Sequence, residues 1–406
     1  MRCPDAKQDV QFILSWFSGA FSNPSFKLFC SFVLGFIQLG KEPHTSSMVQ
    51  CLAQSFLQRS LSSFTRFLAN PVWSLEEIRE VALDKFFLTL KIKARSVVFL
   101  LLDDTILEKT GKKIPGCSWY KDHARNLASV FGHQWVISAL LYKQALLPLV
   151  ARLYHSQGTA GCGRFQTKTA LAKKILQGLR LPIPCKLYLL ADGWYWSKEL
   201  AHACRQHGYH MISQLKSNSV LWIRGKRTRV TELEYSPSFF RQVSVLLYGK
   251  NKSLKIGKFI GLIKGLGPVA LIVVKERRKK TRYLVCTNLL LPALEVVKFY
   301  SHRWKIEQMI KDLKQRLGLG DYQMRDLRAI HRHVALAFLS YFILVLLKIL
   351  QWLKDHANVS LHSSIRFWAS LLRKHILLER ITVQLKTMKV QFTQNVLDTY
   401  FEKLWA

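Results

Sequence analysis

The sequence predicts an α/β protein: a mixed sheet with flanking helices, interrupted by a β-rich insertion, plus helical N- and C-terminal regions. Three observations carry this. Val97–Leu102 and Leu187–Ala191 are continuous apolar runs of the kind that form central strands buried on both faces. Strand-like and helix-like stretches alternate around them as β-β-β-α-β-α-β. Outside this middle, apolar residues recur at helical spacing.

The ends come first. Helical periodicity covers Val10–Phe21, Lys27–Leu39, Ser47–Phe56 and Leu75–Leu90. Ser74, with Glu77 three residues on, offers a helix start. The stretch Arg59-Ser-Leu-Ser-Ser-Phe-Thr-Arg66 suits either the turn of a DNA-facing helix-turn-helix or a polar loop in a plain bundle. The core strand Val97–Leu102 runs into Asp103-Asp104-Thr105. Gln134–Leu141 and Leu146–Tyr154 suit the second and third strands. A helix over Thr167–Leu179 is followed by the strand Lys186–Ala191, which ends on Asp192-Gly193. A further helix (Ser197–His207) and strand (Tyr209–Leu215) complete the first half of the core. Residues 216–286 turn to short β-like runs punctuated by two basic clusters, around Arg227 and at Arg277-Arg278-Lys279-Lys280. Both are expected to face phosphates rather than serve only as solvated loops. A helix over Tyr300–Lys314 follows, then a strongly apolar one over His331–Leu350. The implied division is 1–95, 96–215, 216–286, 287–350 and 351–406.

Composition narrows the function. The 406 residues carry 61 Lys and Arg against 25 Asp and Glu, a formal charge of +36. A folded chain this basic points to a polyanion, with nucleic acid ahead of an anionic membrane surface. Hydrophobic residues make up 49%, enough for a sizeable core, so the charge does not belong to a disordered tail. The eight cysteines lie far apart without the spacing of a zinc site, and read as reduced thiols of a cytoplasmic protein. The strongly apolar run Val334–Leu347, 14 residues with Ser340 and Tyr341 inside it, is short for a membrane span and reads as a buried helix. No P-loop is present, so no nucleotide cofactor is expected.

In so basic a chain, acids at the ends of apolar strands need a reason. On the helix after Phe299, Tyr300, Arg303, Lys311 and Lys314 fall within about 40° of Glu307, and Trp304 within about 60°. One carboxylate among cations and aromatics suits a metal ligand beside phosphate-binding groups. An Arg303–Glu307–Lys311 ladder on a solvated helix is the plainer alternative. Asp103 or Asp104, then Asp192, then Glu307 supply the hard oxygen donors that Mg²⁺ prefers. Two such ions suit in-line displacement at phosphorus.

Tyr300, Arg303, Glu307 and Lys314 match the Y-x2-R-x3-E-x6-K signature, and the chain thereby resembles bacterial insertion-sequence DDE transposases. Leu313-Lys314-Gln315-Arg316-Leu317-Gly318 and Asp321-Tyr322-Gln323 resemble the segment that follows in that group. Asp103-Asp104-Thr105 and Leu190-Ala191-Asp192-Gly193 resemble its first two acid motifs. The resemblance implies an RNase H-like core and cut-and-paste transposition. Asp103, Asp192 and Glu307 would hold two Mg²⁺ or Mn²⁺ ions, with Asp104 the alternative to Asp103. Arg303 and Lys314 would contact phosphates and Tyr300 would contact DNA near the cut; Trp304 suits either stacking on a displaced base or a half-buried place in the core. Implied partners are double-stranded DNA, at element ends and target, and a second copy in a homodimer, with 351–406 as the expected contact. A nucleoid-associated bacterial location follows. An RNase H-like nuclease without strand transfer, and an inactive DNA-binding descendant, are the rival expectations.

Overall fold

The computed structural model describes residues 6–40, 60–70, 73–122, 127–159, 163–223, 225–234, 236–354, 364–374 and 376. The expected helix at Ser47–Phe56, the Arg59 end of the helix-turn-helix stretch and most of 351–406 lie outside them.

Twelve strands form one sheet. β1 (Val97–Glu108) is central, with β3 (Leu127–Tyr142) antiparallel on one side and β5 (Lys186–Ala191) parallel on the other. β2 (Ser118–Asp122) and β4 (Ala145–Tyr154) share the far edge of β3. β6 (His210–Gln214) continues parallel to β5. The sheet is thus mixed, as expected.

One expectation changes. Asp103 and Asp104 do not end a strand. β1 passes through them to Glu108, because β3 pairs with it all the way to Gly132. Gly132 is required there: a Cβ would sit 2.2 Å from the carbonyl oxygen of Leu107. The insertion is β-rich, as expected. β7 (Val220–Ile223), β8 (Lys226–Arg229), β9 (Arg241–Leu247), β10 (Lys250–Ile263), β11 (Gly267–Glu276) and β12 (Arg282–Cys286) extend the same sheet. The join is β12 with β6.

The described N-terminal helices are α1 (Ala6–Ser15), α2 (Asn23–Leu39), α3 (Leu61–Ala69) and α4 (Leu75–Thr89). Ser74 caps α4 by accepting from the backbone N–H of Glu76 and Glu77. α5 (Lys168–Gln177) and α6 (Lys198–Gln206) lie on the Asp104 face of β1. α7 (Ala293–Ser301) and α8 (Trp304–Arg316) follow the insertion, and α9 (Leu327–Lys354) packs against β4, α1, α2 and α3. Among the described residues α9 alone is long and apolar enough to cross a membrane, but nearly all of it is buried in the protein. It is a core helix. The described cysteines Cys30, Cys117, Cys185, Cys204 and Cys286 are free thiols.

The helix expected over Tyr300–Lys314 is two helices. His302 and Arg303 form a tight turn, with Arg303 N–H bonded to the Tyr300 carbonyl at 3.0 Å and Lys305 N–H to the His302 carbonyl at 3.0 Å. No Gly or Pro signals the break. Phe299 and His302 are both drawn onto the Phe99 ring, at centroid distances of 4.9 and 5.0 Å, and this tertiary packing bends the chain.

Candidate active site

β1, β5 and α8 meet at a cleft of about 480 Å³ lined by Asp103, Asp104, Asp192, Arg303, Glu307 and, further along α8, Lys311 and Lys314. Alternation along β1 sends Asp103 and Asp104 to opposite faces. Asp103 faces α8. Its Oδ2 lies 3.3 Å from Arg303 Nη1, and its Oδ1 accepts the Asp104 N–H at 2.9 Å. Arg303 also donates to Glu307 one turn on. Asp192 follows the last residue of β5, and its Oδ1 accepts the Trp194 N–H at 2.9 Å. Gly193 is needed there for close approach: a Cβ would meet the Gln214 carbonyl oxygen at 2.9 Å.

Asp104 sits differently. Its oxygens accept from Gln134 at 2.6 Å, Lys168 at 2.8 Å and the Tyr195 hydroxyl at 3.2 Å. These three donors tie β1 to β3, α5 and the loop after Asp192. Sequence reasoning missed all three. A Gln inside the apolar run of β3 was the available signal for the first.

Burial pushes the Asp103 carboxyl up to about 7, with Arg303 opposing. Burial also raises Asp192, against the Trp194 N–H.

The family described as DDE superfamily endonuclease matches residues 33–237, just over half of the chain. The family described as transposase DDE domain matches residues 151–343. The chain belongs to the DDE-type transposases. No curated protein matches it. The two matched spans together contain Asp103, Asp192 and Glu307, and nuclease-type chemistry on DNA comes with the family.

DDE-type nucleases use divalent metals, and the transposase cleft meets part of what such an ion needs. In kind the donors fit: carboxylate oxygens without thiol or imidazole, the set suited to Mg²⁺ or Mn²⁺. In position they are not a ready-made cage. Among the described residues no three acidic, His or Cys side chains gather closely enough to hold an ion as they stand. The Arg303 guanidinium lies between Asp103 and Glu307 as the local cation.

The other expected residues spread out. Lys314 donates to the Ile106 carbonyl at 2.8 Å, at the cleft wall. Lys311 is exposed on the cleft side of α8. Tyr300 is only 7% exposed and packs behind Arg303. Trp304 is 47% exposed, edge-on to Tyr248 at 6.4 Å between ring centroids, where the β9–β10 turn reaches α8. The basic clusters are not brought together. Arg227 pairs with Trp222, opposite Leu262 and Pro268, at one end of β11. Arg277, Arg278 and Lys279 are exposed at its other end, about 30 Å away at ~3.3 Å per residue. Lys279 pairs with Glu276 at 2.7 Å. Trp194, 66% exposed beside Asp192, is an aromatic at the cleft that sequence reasoning passed over.

A pH test follows for the transposase. Asp103 is raised from 3.8 to about 7, so folding favours its protonated form. The resulting penalty is absent below about pH 4 and complete above about pH 7. Asp103→Asn should therefore raise stability at pH 8 by about 2–4 kcal/mol and change little at pH 4, read by urea unfolding at both pH values.

Proposed function

We propose that this transposase cuts DNA at element ends and joins the freed 3′-hydroxyl to target DNA, using Asp103, Asp192 and Glu307 as its catalytic carboxylates. The convergence of these three acids on one cleft from β1, the end of β5 and α8 supports the reading. Asp103 is preferred to Asp104 because Asp104 already has three internal donors, whereas Asp103 has only Arg303 and a backbone N–H.

Asp103, Asp192 and Glu307 would hold one or two Mg²⁺ or Mn²⁺ ions, which supply water activation and charge neutralisation at phosphorus. The chain's own groups do the rest. Asp192 is held in place by the Trp194 N–H and by its rigid strand end. Arg303 neutralises Asp103 and Glu307 in the DNA-free protein and is the cation beside an incoming phosphate. Lys311 and Lys314 extend that positive wall along α8. Trp304 offers an exposed ring at its start for stacking on an unpaired base. Arg277, Arg278 and Lys279 hold duplex backbone on the same side as Tyr248, and Arg227 holds it farther out. Residues 1–95 form the DNA-binding region and 351–406 the contact of a homodimer that pairs two ends.

Joining is the deciding assay. Purified protein, DNA carrying the element's own ends and Mg²⁺ should give cleavage, followed by covalent joining of the 3′-end to a target plasmid. Cleavage without joining would reduce the protein to an RNase H-like nuclease. Binding without either would leave a DNA-binding descendant.

A further inference from the structure

A second cavity lies at the opposite end of β3 from the β2 edge, where β1 begins and the β3–β4 turn meets α9. It measures about 420 Å³ and has no acidic residue in its lining. Lys91, Lys93, Lys143 and Lys348 line it, with Tyr142 and Trp352 among its apolar walls.

Lys348 is the unusual member. Its side chain is 8% exposed, and it has neither a carboxylate nor a hydrogen-bond partner among the described residues. An ammonium group in a largely apolar helix is costly unless something pairs with it, and among the described residues no carboxylate does. A group that enters the cavity carrying negative charge would.

Backbone geometry is independent support. Lys143 has φ 53° and Lys91 has φ 48°, in the left-handed region. Lys143 is the first residue of a two-residue hairpin turn between Tyr142 and Ala145, a position that favours Gly. Lys91 ends α4 in the left-handed conformation that helix C-termini commonly adopt, so it is Lys143 that keeps a charge at the rim at a conformational cost. Lys305, at the start of α8, fixes the turn by donating to the Lys143 carbonyl at 3.3 Å and to Gln144 Oε1 at 2.5 Å.

We infer that this cavity takes one nucleotide of a DNA strand, with its phosphate on Lys348 and Lys143 and its base against Tyr142 and Trp352. The volume suits a single nucleotide, and aromatic walls with a lysine rim suit a base joined to a phosphate. Tyr142 is five residues along β3 from Ile137, the partner of Asp103. At ~3.4 Å per residue this is about 17 Å along the strand, and the odd spacing puts the two side chains on opposite faces of the sheet, so the cavity lies past the end of the catalytic cleft rather than inside it. The site therefore anchors the strand beyond the catalytic cleft. The inference rests on the protein acting on DNA, as proposed above.

Photocrosslinking with an oligonucleotide carrying 5-iododeoxyuridine tests it in the full-length protein. The expected crosslinked peptide contains Tyr142 or Trp352. The yield should fall at least tenfold in Lys348→Met and in Lys143→Gly. Lys348→Met should also melt higher than the parent, because an apolar side chain replaces an unpartnered ammonium. Lys143→Gly relaxes its turn and stays folded. No crosslink in those peptides, or a yield unchanged in both variants, overturns the inference. Competition by free dAMP as strong as by the unlabelled strand overturns the strand assignment in favour of a free nucleotide. Glu307→Gln separates the two readings. A crosslink kept while cleavage is lost supports both. A missing crosslink with cleavage still lost overturns this inference alone, and cleavage that survives overturns the catalytic assignment alone.

Discussion

Glu307→Gln is expected to lower DNA cleavage by at least about a thousandfold while leaving the fold intact. Glutamine keeps the size and the hydrogen-bonding oxygen of Glu307 but removes its charge. Stabilisation of several kcal/mol at phosphorus by a bound divalent ion depends on charged ligands, and ~4 kcal/mol corresponds to roughly a thousandfold in rate. Fold loss is not expected, because Glu307 is partly exposed at 31% and among the described residues its ion pair is with Arg303 alone. Arg303 still has Asp103. Single-turnover cleavage with unfolding as control measures both effects. A rate within tenfold of the parent would remove Glu307 from the catalytic set. The same assay distinguishes Asp103 from Asp104. Asp103→Asn should abolish cleavage in a protein that is more stable at pH 8. Asp104→Asn should instead weaken the fold, since Lys168 loses the charge it pairs with.

The second large effect is structural. Arg332→Met in α9 should destabilise the protein by about 3–5 kcal/mol, read as a shift of the urea midpoint. The Arg332 side chain is 3% exposed. Its guanidinium donates to the carbonyls of Phe67 at 3.3 Å, Leu68 at 3.0 Å and Trp73 at 2.8 Å, and also to that of Asn70. It also lies 4.4 Å from the centre of the Trp73 ring. These carbonyls are the C-terminal end of α3 and the chain just after it, groups that a helix cannot satisfy by itself. Methionine fills the space but leaves them buried and unbonded. Lysine at 332 should recover only part of the loss, since one ammonium cannot span the same fork of acceptors. The result would show that the N-terminal helices and the core depend on one another.

Much of the frame was legible because its signals are local. The apolar runs before Asp103 and Asp192 marked the two parallel central strands, and the acid after each run drew attention to the cleft. The angular stripe of Arg303, Glu307, Lys311 and Lys314 was also legible, since all four lie within one turn and helix of the chain. What stayed hidden depends on distant partners. β1 outruns its apolar stretch because β3 pairs alongside Asp103 and Asp104. Tyr300 left the stripe because Phe99 draws Phe299 and His302 inward and breaks the helix before Arg303. Arg303 bridging Asp103 and Glu307 joins residues 200 positions apart, and no spacing announces it. That the insertion joins the core sheet through β6 was hidden, because nothing in Tyr283–Cys286 names that partner. The plain Arg303–Glu307 ladder and the catalytic reading are not exclusive: the ion pair is present, and it lies in the cleft.

The central claim is that Asp103, Asp192 and Glu307 form one site for a divalent ion. Anomalous diffraction at the manganese edge, from crystals of the protein bound to element-end DNA and soaked in Mn²⁺, tests it most directly. The account predicts a peak within about 2.0–2.3 Å of carboxylate oxygens of Asp103 and Asp192, with Glu307 beside it and Arg303 turned away to the phosphate. A peak on Asp104 in place of Asp103, or no peak in the cleft with DNA in place, would contradict it.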